Sequence, residues 1–487
     1  MKYILAHDLG TSGNKANLFD ETGRLVATHL ESYPVVYPHA QWAEQNPDDW
    51  WRAVCVSTRA LLLEIPDARD NLAAVSFSGQ MMGVVAVDSN QRALRSAIIW
   101  ADQRATAEAE WLAEKIGADE MYQRTGHRVS PAYTLEKILW LKNHQPDVYA
   151  QTEKFLCAKE YAVLKLTNAA LTDFSDASGS NVFDLETRAW RVDWLEKIGV
   201  DAKRFARVVP STTIAGQVTR AASEETGLRA GTPVVIGGGD GSCAAAGAGV
   251  IDAGECYCNI GTSAWLSFSS RAPLFDAQQR TLTFHHVHPA RYTPMGVMQS
   301  AGGAREWVAN QIGQVSDEQI ADVPIGSRGI IFLPYLIGER SPWWNPRARG
   351  TFVGLSTSHG RAEMARATLE GVALNLKLIL VALASQGARF PAIRLIGGGA
   401  KSFVWTQMLA DVFNTPIHLL ELNAEASAWG AAVVGGIGVG LYRDWNIANA
   451  NARVTRVVAP QRERAEQYQA LAARFEKVYR ALEPLME

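Results

Sequence analysis

His7-Asp8-Leu9-Gly10-Thr11-Ser12, close to the start of the chain, has an echo in the middle at Cys258-Asn259-Ile260-Gly261-Thr262-Ser263. Each stretch ends an apolar, strand-like run, turns at Gly-Thr-Ser and leads into a second strand-like run. A match this short can arise by chance. It gains weight because it divides the 487 residues into halves that begin alike, as a duplication would leave them. Outward from the first copy, Ile4 to His7 and Lys15 to Phe19 read as strands. Glu21-Thr22-Gly23 then turns the chain into Leu25-Val26-Ala27. The Gly- and Ala-rich stretch 237–254 is the expected join between the halves. Beyond it, Glu363 to Ser385 predicts a long helix stopped at Gly387, and Ser402 to Phe413 another stopped by Asn414 and Pro416. In the tail, Tyr468, Leu471, Ala472, Phe475, Tyr479 and Leu482 fall on one helical face. Strand and helix patterns alternate, so the fold class is α/β.

The length calls for two or more domains. Apolar residues make up 47% and charged residues 20%, which is ordinary globular composition. A net charge of −3 supplies no concentrated basic face for nucleic acid or a membrane surface. Cys55, Cys157, Cys243, Cys256 and Cys258 are odd in number and mostly scattered, which suits buried thiols in a reducing compartment. The apolar run at Tyr3–Ala6 is too short for a signal-peptide core. The longest uncharged stretch, 426–442, carries five glycines and falls short of the roughly 20 apolar residues of a membrane span. The expectation is a cytoplasmic protein with no membrane and no nucleic-acid partner.

Two common nucleotide motifs fail. Gly397-Gly398-Gly399-Ala400-Lys401-Ser402 lacks the glycine before the lysine and the upstream glycine of a P-loop. Gly436-Ile437-Gly438 would need glycine at Leu441 to be a dinucleotide fingerprint. What remains suits phosphoryl transfer, which asks for amides around phosphates, a carboxylate for a metal and an acceptor for an alcohol proton. Each Gly-Thr-Ser turn can offer amides and a hydroxyl, the first through Thr11 and Ser12. Asp8 stands beside that turn as a candidate Mg²⁺ ligand, and Lys15 can add charge. Either turn alone reads equally as a plain hairpin. Asp240, within Gly237-Gly238-Gly239-Asp240-Gly241, has little bulk around it and suits a proton acceptor, or a turn aspartate bonded to its own backbone. Gln80, Met81 and Met82 follow one apolar strand, and Trp100 with Asp102 follows another, where α/β sheets bind ligands. An indole beside a carboxylate suits a polyol; a core tryptophan beside an ion pair has the same pattern. Gly397 to Ala400 can lie against an adenine or simply turn a strand into a helix.

Together these parts resemble, in order and spacing, the FGGY carbohydrate kinases of the actin/hexokinase/Hsp70 superfamily. The most specific match is Gly350-x-Phe352-x-Gly354-Leu355, followed after seven residues by Glu363-Met364-x-x-Ala367-Thr368-Leu369-Glu370. Asp8 to Ser12 resembles the family's first phosphate motif, Gly261-Thr262-Ser263 its second, and Gly398-Gly399-Ala400 its adenosine motif. Trp42 to Pro47, Gly338 to Pro342 and Ala400 to Ser402 look most like xylulokinases. The resemblance implies two actin/hexokinase-like (ribonuclease H-like) domains, 1–247 and 248–487, with a catalytic cleft between them. It implies ATP and Mg²⁺, a small sugar or polyol as partner, and a homodimer as the assembly. Asp240 would be the base and a second metal-site carboxylate beside Asp8. Gly261, Thr262, Gly302, Gly399, Ala400 and Phe403 would meet ATP with Thr11, Ser12 and Lys15. Gln80, Met81, Met82, Trp100, Asp102 and Asp240 would meet the sugar. One departure stands out: where xylulokinases typically read Gly-Gln-Met-His-Gly, this chain has Met82, a weak acceptor, in place of the histidine. The implied activity is phosphorylation of a terminal hydroxyl of a ketopentose such as xylulose, with another ketose, a pentitol or a tetritol as alternatives. A sugar-sensing protein without catalysis and an actin- or Hsp70-like ATPase are rivals on the same fold.

Overall fold

A computed structural model describes residues 1–421 and 425–486; Leu422, Asn423, Ala424 and Glu487, the end of the expected second domain, lie outside the described residues. Its frame is two mixed sheets built alike. In the first, the strand order is Ile214–Gln217, Pro233–Val235, Leu72–Gly79, Tyr3–Leu9, Gly13–Asp20, Leu25–Ser32, with Gly238–Gly239 also pairing to Leu72–Gly79. In the second it is Leu282–His285, Tyr292–Met298, Ala264–Phe268, Cys256–Ile260, Ile393–Ile396, Ile417–Leu420, Val454–Val458. In both, the strand that ends in the Gly-Thr turn pairs antiparallel with its successor and parallel with a strand far downstream. The echo of a few residues is therefore the visible trace of a repeated topology. Tyr3–Leu9 is buried at every position but Asp8, as a central strand covered on both faces must be.

The stretch 237–254 carries the chain from one sheet to the other, but it is no linker. Residues Asp240–Gly247 form a helix buried from Gly241 onward. It crosses Ala426–Gly438 in backbone contact: a Cβ on Gly247 would lie 1.7 Å from the Ala426 carbonyl oxygen, and one on Gly430 would lie 1.9 Å from that of Cys243. Glycine is required there because two helices approach more closely than any side chain permits. Although it comes late in the second half, Ala426–Gly438 packs on the first sheet, where Ala428, Trp429 and Ala431 join Ile4, Ala6 and Ala74 in one core. A helix apolar on every side is one that is covered on every side.

The long helix runs over Arg361–Ala384. It is the one described helix long and apolar enough to cross a membrane, yet its most apolar window is 78% buried inside the fold. The segment most specific in sequence, ending at Glu370, proves to be an anchor. The Glu370 carboxylate accepts from Gly326 N (3.1 Å) and Ser327 Oγ (2.9 Å) and pairs with Arg366 (2.9 Å). Ser402 caps the helix Phe403–Phe413 by accepting from Trp405 N, and left-handed Asn414 ends it. The tail helix spans Arg462–Leu482 and buries Tyr468, Phe475 and Tyr479. Cys256 and Cys258 both enter the core of the second domain, and all five cysteines are buried free thiols.

Candidate active site

Three parallel strands bring the acidic groups together. Register places Asp8 beside Ser78, and Ser78 beside Gly238, so the chain leaves these strands on one side of the sheet at Gly10, Gln80 and Asp240. Asp8 Oδ1 accepts from Ser78 Oγ at 2.8 Å, with Lys15 opposite it on the neighbouring strand. Burial pushes the Asp8 carboxyl above its ordinary range, against the pull of Ser78 and Lys15. Asp240 is the first residue of its helix and accepts from Gly241 N at 2.7 Å. Burial first, then the charge of Asp8, pushes it up to about 7 despite that bond. Two carboxylates that each resist ionisation beside the other form a donor set that a hard divalent cation would relieve, so Mg²⁺ fits these residues.

Asp240 opens onto a cavity of about 220 Å³ between the two sheets. Thr11, Met81, Met82 and Trp100 line it. Trp100 Nε1 donates to Thr11 Oγ1 at 2.9 Å, tying this wall of the cavity to the first Gly-Thr-Ser turn. Met82 has φ +63°, and its carbonyl accepts from the buried Lys137 Nζ at 2.9 Å. That bond braces a left-handed conformation that is uncommon for any residue with a Cβ.

Gln80 and Asp102 are not brought to the cavity wall. Gln80 is 3% exposed and donates to Gln45 Oε1 at 2.7 Å; Gln45 in turn donates to the Thr11 carbonyl. Asp102 is fully buried: Ala43 N and Arg104 occupy both its oxygens, while Arg104 lies over the Trp42 ring at 3.7 Å. Both residues stand behind the wall and hold it. Sequence reasoning missed Tyr133, Trp265 and Arg340, which line the cavity together with Ser263 of the second turn. Arg340 was legible in part, since it sits within Gly338-Glu339-Arg340-Ser341-Pro342. Its guanidinium lies 5.6 Å from the Trp100 ring and donates through Nε to Gln299. Burial pushes the neighbouring Glu339 up to about 8, so that carboxyl supplies little countercharge near neutral pH.

The second turn has a helix start against it. Gly302 N donates to the Gly261 carbonyl at 2.8 Å, and Ala301 N and Gly303 N donate to that of Thr262. A Cβ on Gly302 would lie 2.4 Å from the Gly261 oxygen, so the helix Gly302–Ile312 can begin this close only with glycine there. These bonds occupy the amides at the helix start, so the helix braces the Gly261 turn. Gly397, at φ +86°, and Gly399 press against the end of Cys256–Ile260, the strand that leads into the same turn. Ala400 follows in the short turn Gly398–Lys401, and Phe403, 47% exposed, opens the next helix. Ser12 is exposed on the first turn, where its carbonyl accepts from Tyr33 N.

Paired domains of one topology, with a glycine turn from each and carboxylates where they meet, define an actin-like two-domain kinase architecture. The chain belongs to the FGGY family of carbohydrate kinases: residues 3–247 match the family's N-terminal domain and 256–439 its C-terminal domain. It is 32% identical over 486 residues to a xylulose kinase of Bacillus subtilis, covering 98% of this chain and 97% of that one. It is also 32% identical over 501 residues to a gluconokinase of Bacillus licheniformis, covering 99% and 96%. The crystal structure of a ligand-bound xylulose kinase from Lactobacillus acidophilus superposes with a TM-score of 0.94 at 29% identity, covering 99% and 98%.

Proposed function

We propose that this carbohydrate kinase transfers the γ-phosphoryl group of ATP to a terminal hydroxyl of a ketopentose such as xylulose, or of a ketose or polyol of similar size, in the cytoplasm. The observation that carries the reading is Asp240: a carboxylate at the cavity, poised by burial and by Asp8 near pH 7. A base works best when its pKa lies near the working pH, because it is then both ionised and basic enough to take a proton. Asp240 accepts the hydroxyl proton as the sugar oxygen attacks. The Gly10 and Gly261 turns, the second braced by the Gly302 helix, face the phosphates through Thr11, Ser12 and Thr262, and Gly399, Ala400 and Phe403 take the adenosine. Mg²⁺, held by Asp8 directly or through water with Asp240 close by, would neutralise phosphate oxygens.

Xylulose kinases and gluconokinases are similar to this chain to about the same degree, 30–34% and 31–32% identical, so the sugar is argued from the cavity. Its polar groups are concentrated at Asp240, Ser263 and Arg340. Met81, Met82, Leu282, Phe284, Met295 and Val297 form an apolar flank. Thioether and hydrocarbon groups cannot hold a hydroxyl to one configuration as a histidine would. The substrate therefore differs from D-xylulose in stereochemistry, in carbonyl position or in being a polyol. The test is ADP release measured over ketopentoses, ketohexoses, pentitols and tetritols. The expected result is sugar-dependent release with D-xylulose not the best substrate; ADP release that needs no sugar would favour an ATPase instead. Met82→His is expected to raise kcat/KM for D-xylulose relative to the preferred sugar by about tenfold, the scale of one added polar contact.

A further inference from the structure

Behind Asp240 lies a buried charged group that the proposed chemistry does not touch. Lys159, Asp173, Asp176 and Glu160 are each at most 3% exposed. Lys159 Nζ sits 2.9 Å from Asp173 Oδ1, 2.9 Å from Asp176 Oδ2 and 4.0 Å from Glu160 Oε1, so the cation of this cluster is the lysine itself. Burial works to raise the Asp173 carboxyl, but Lys159 and two serine hydroxyls hold it below its ordinary range; burial drives Asp176 well above its own. The lasting ion pair is Lys159 with Asp173.

From that pair, two serines reach the glycine run that carries Asp240, Ser175 through its hydroxyl and Ser211 through its carbonyl. Ser175 Oγ donates to Asp173 Oδ2 at 2.6 Å and accepts from Gly239 N at 2.8 Å. Ser211 Oγ donates to the same oxygen at 2.7 Å, and the Ser211 carbonyl accepts from Gly237 N at 3.1 Å. The short strand Gly238–Gly239 pairs on one side with Ser78 and Gly79. On its other side the Gly239 amide has a serine hydroxyl where a further strand would be. Lys159 also underlies that pairing, since a Cβ on Gly79 would lie 2.9 Å from Lys159 Cβ. Glycines supply no side chains to fix their own path, so the direction of the backbone into Asp240 must be set from outside.

We propose that Ser175 and Ser211, oriented by the Asp173–Lys159 pair, are positioning residues that aim Asp240 at the substrate hydroxyl; the proposal rests on Asp240 being the base. Ser175→Ala takes away the acceptor of Gly239 N without adding bulk. It is expected to lower kcat by about tenfold or more, because small misplacements of a catalytic group are costly, while KM for sugar and for ATP stays within about twofold. Ser175→Thr, which keeps the hydroxyl, is expected to restore most of kcat. The control is Ser180→Ala, which loses a buried hydroxyl that donates to the Ala177 carbonyl and accepts from Val182 N, with no bond to the glycine run. Its expected effect is a lower Tm with kcat unchanged. If Ser175→Ala and Ser180→Ala match in kcat and differ only in Tm, the proposal is overturned. Should Asp240→Asn retain turnover, the base assignment fails first. An inactive Asp240→Asn beside a fully active Ser175→Ala overturns the positioning role alone.

Discussion

Asp240→Asn is expected to lower kcat by about 10²–10⁴-fold, the usual contribution of a general base, while sugar affinity changes little. The amide keeps the size of the carboxylate and can still accept from Gly241 N, so the start of the helix should hold. What is lost is the ability to take the hydroxyl proton. Single-turnover phosphoryl transfer, alongside sugar binding by calorimetry, checks both halves; retained turnover would remove Asp240 as base. The pKa near 7 adds a pH signature. The group must be ionised to accept a proton, so kcat/KM should rise with pH through about 7 and level off above it. Stability should move the other way. The unfolded chain releases this proton near 4 and the folded chain near 7, so the folded state binds the proton more tightly between those values. Folding then weakens as pH rises across that window, and Asp240→Asn should have a higher Tm than the parent at pH 8. An active site that keeps a strained carboxylate for its chemistry gives up stability to do so.

How much of this could be read from the chain depends on whether local pattern or tertiary contact decides the feature. The repeated turns were legible because a strand ending in Gly-Thr-Ser is a short-range pattern, and each copy carries its own flanking strands. The helices at 361–384 and 462–482 announced themselves by period. The destination of Ala426–Gly438 was not legible. Its run of Ala, Gly and Val says that it is covered on all sides, but nothing local says that the cover is the first sheet. Residues 237–254 carry the chain from one sheet to the other, but nothing local says that their glycines and alanines are small so that two helices can cross in contact. Within the site, Thr11, Met81, Met82, Trp100 and Asp240 reach one cavity, with Asp8 on a strand that leads toward it. Asp102 does not, because Arg104, two residues on, folds back on it, and a sequence pattern cannot say which partner a carboxylate takes. Tyr133 and Arg340 escaped because each reaches the cavity from a distant segment, and Trp265 because nothing local says which face of its strand meets the cavity. Lys159 and Asp173 are more than 60 residues from Asp240 and meet its glycine run only through side chains.

Asp8→Ala is expected to be nearly as damaging, but through the nucleotide. Asp8 lies where the first strand ends, bonded to Ser78 on one side and facing Lys15 on the other, one residue short of the turn. If it holds the metal, removing it should leave sugar binding intact and lower kcat/KM for Mg-ATP by about 10²-fold or more, the scale on which loss of one charge-stabilising group acts. The Mg²⁺ concentration for half-maximal rate should rise as well. Because Asp8 also pushes Asp240 upward, its removal lets the base ionise more readily, so the acid limb of any residual activity should move below pH 7. The two signatures separate the roles. A metal ligand raises the Mg²⁺ requirement, a merely electrostatic neighbour moves only the acid limb, and Asp8→Asn, which keeps the bond from Ser78 but not the charge, should show both effects in full. If the Mg²⁺ dependence of Asp8→Ala matches that of the parent, Asp8 does not belong to the metal site, and the cation must be held by the phosphates and Asp240 instead.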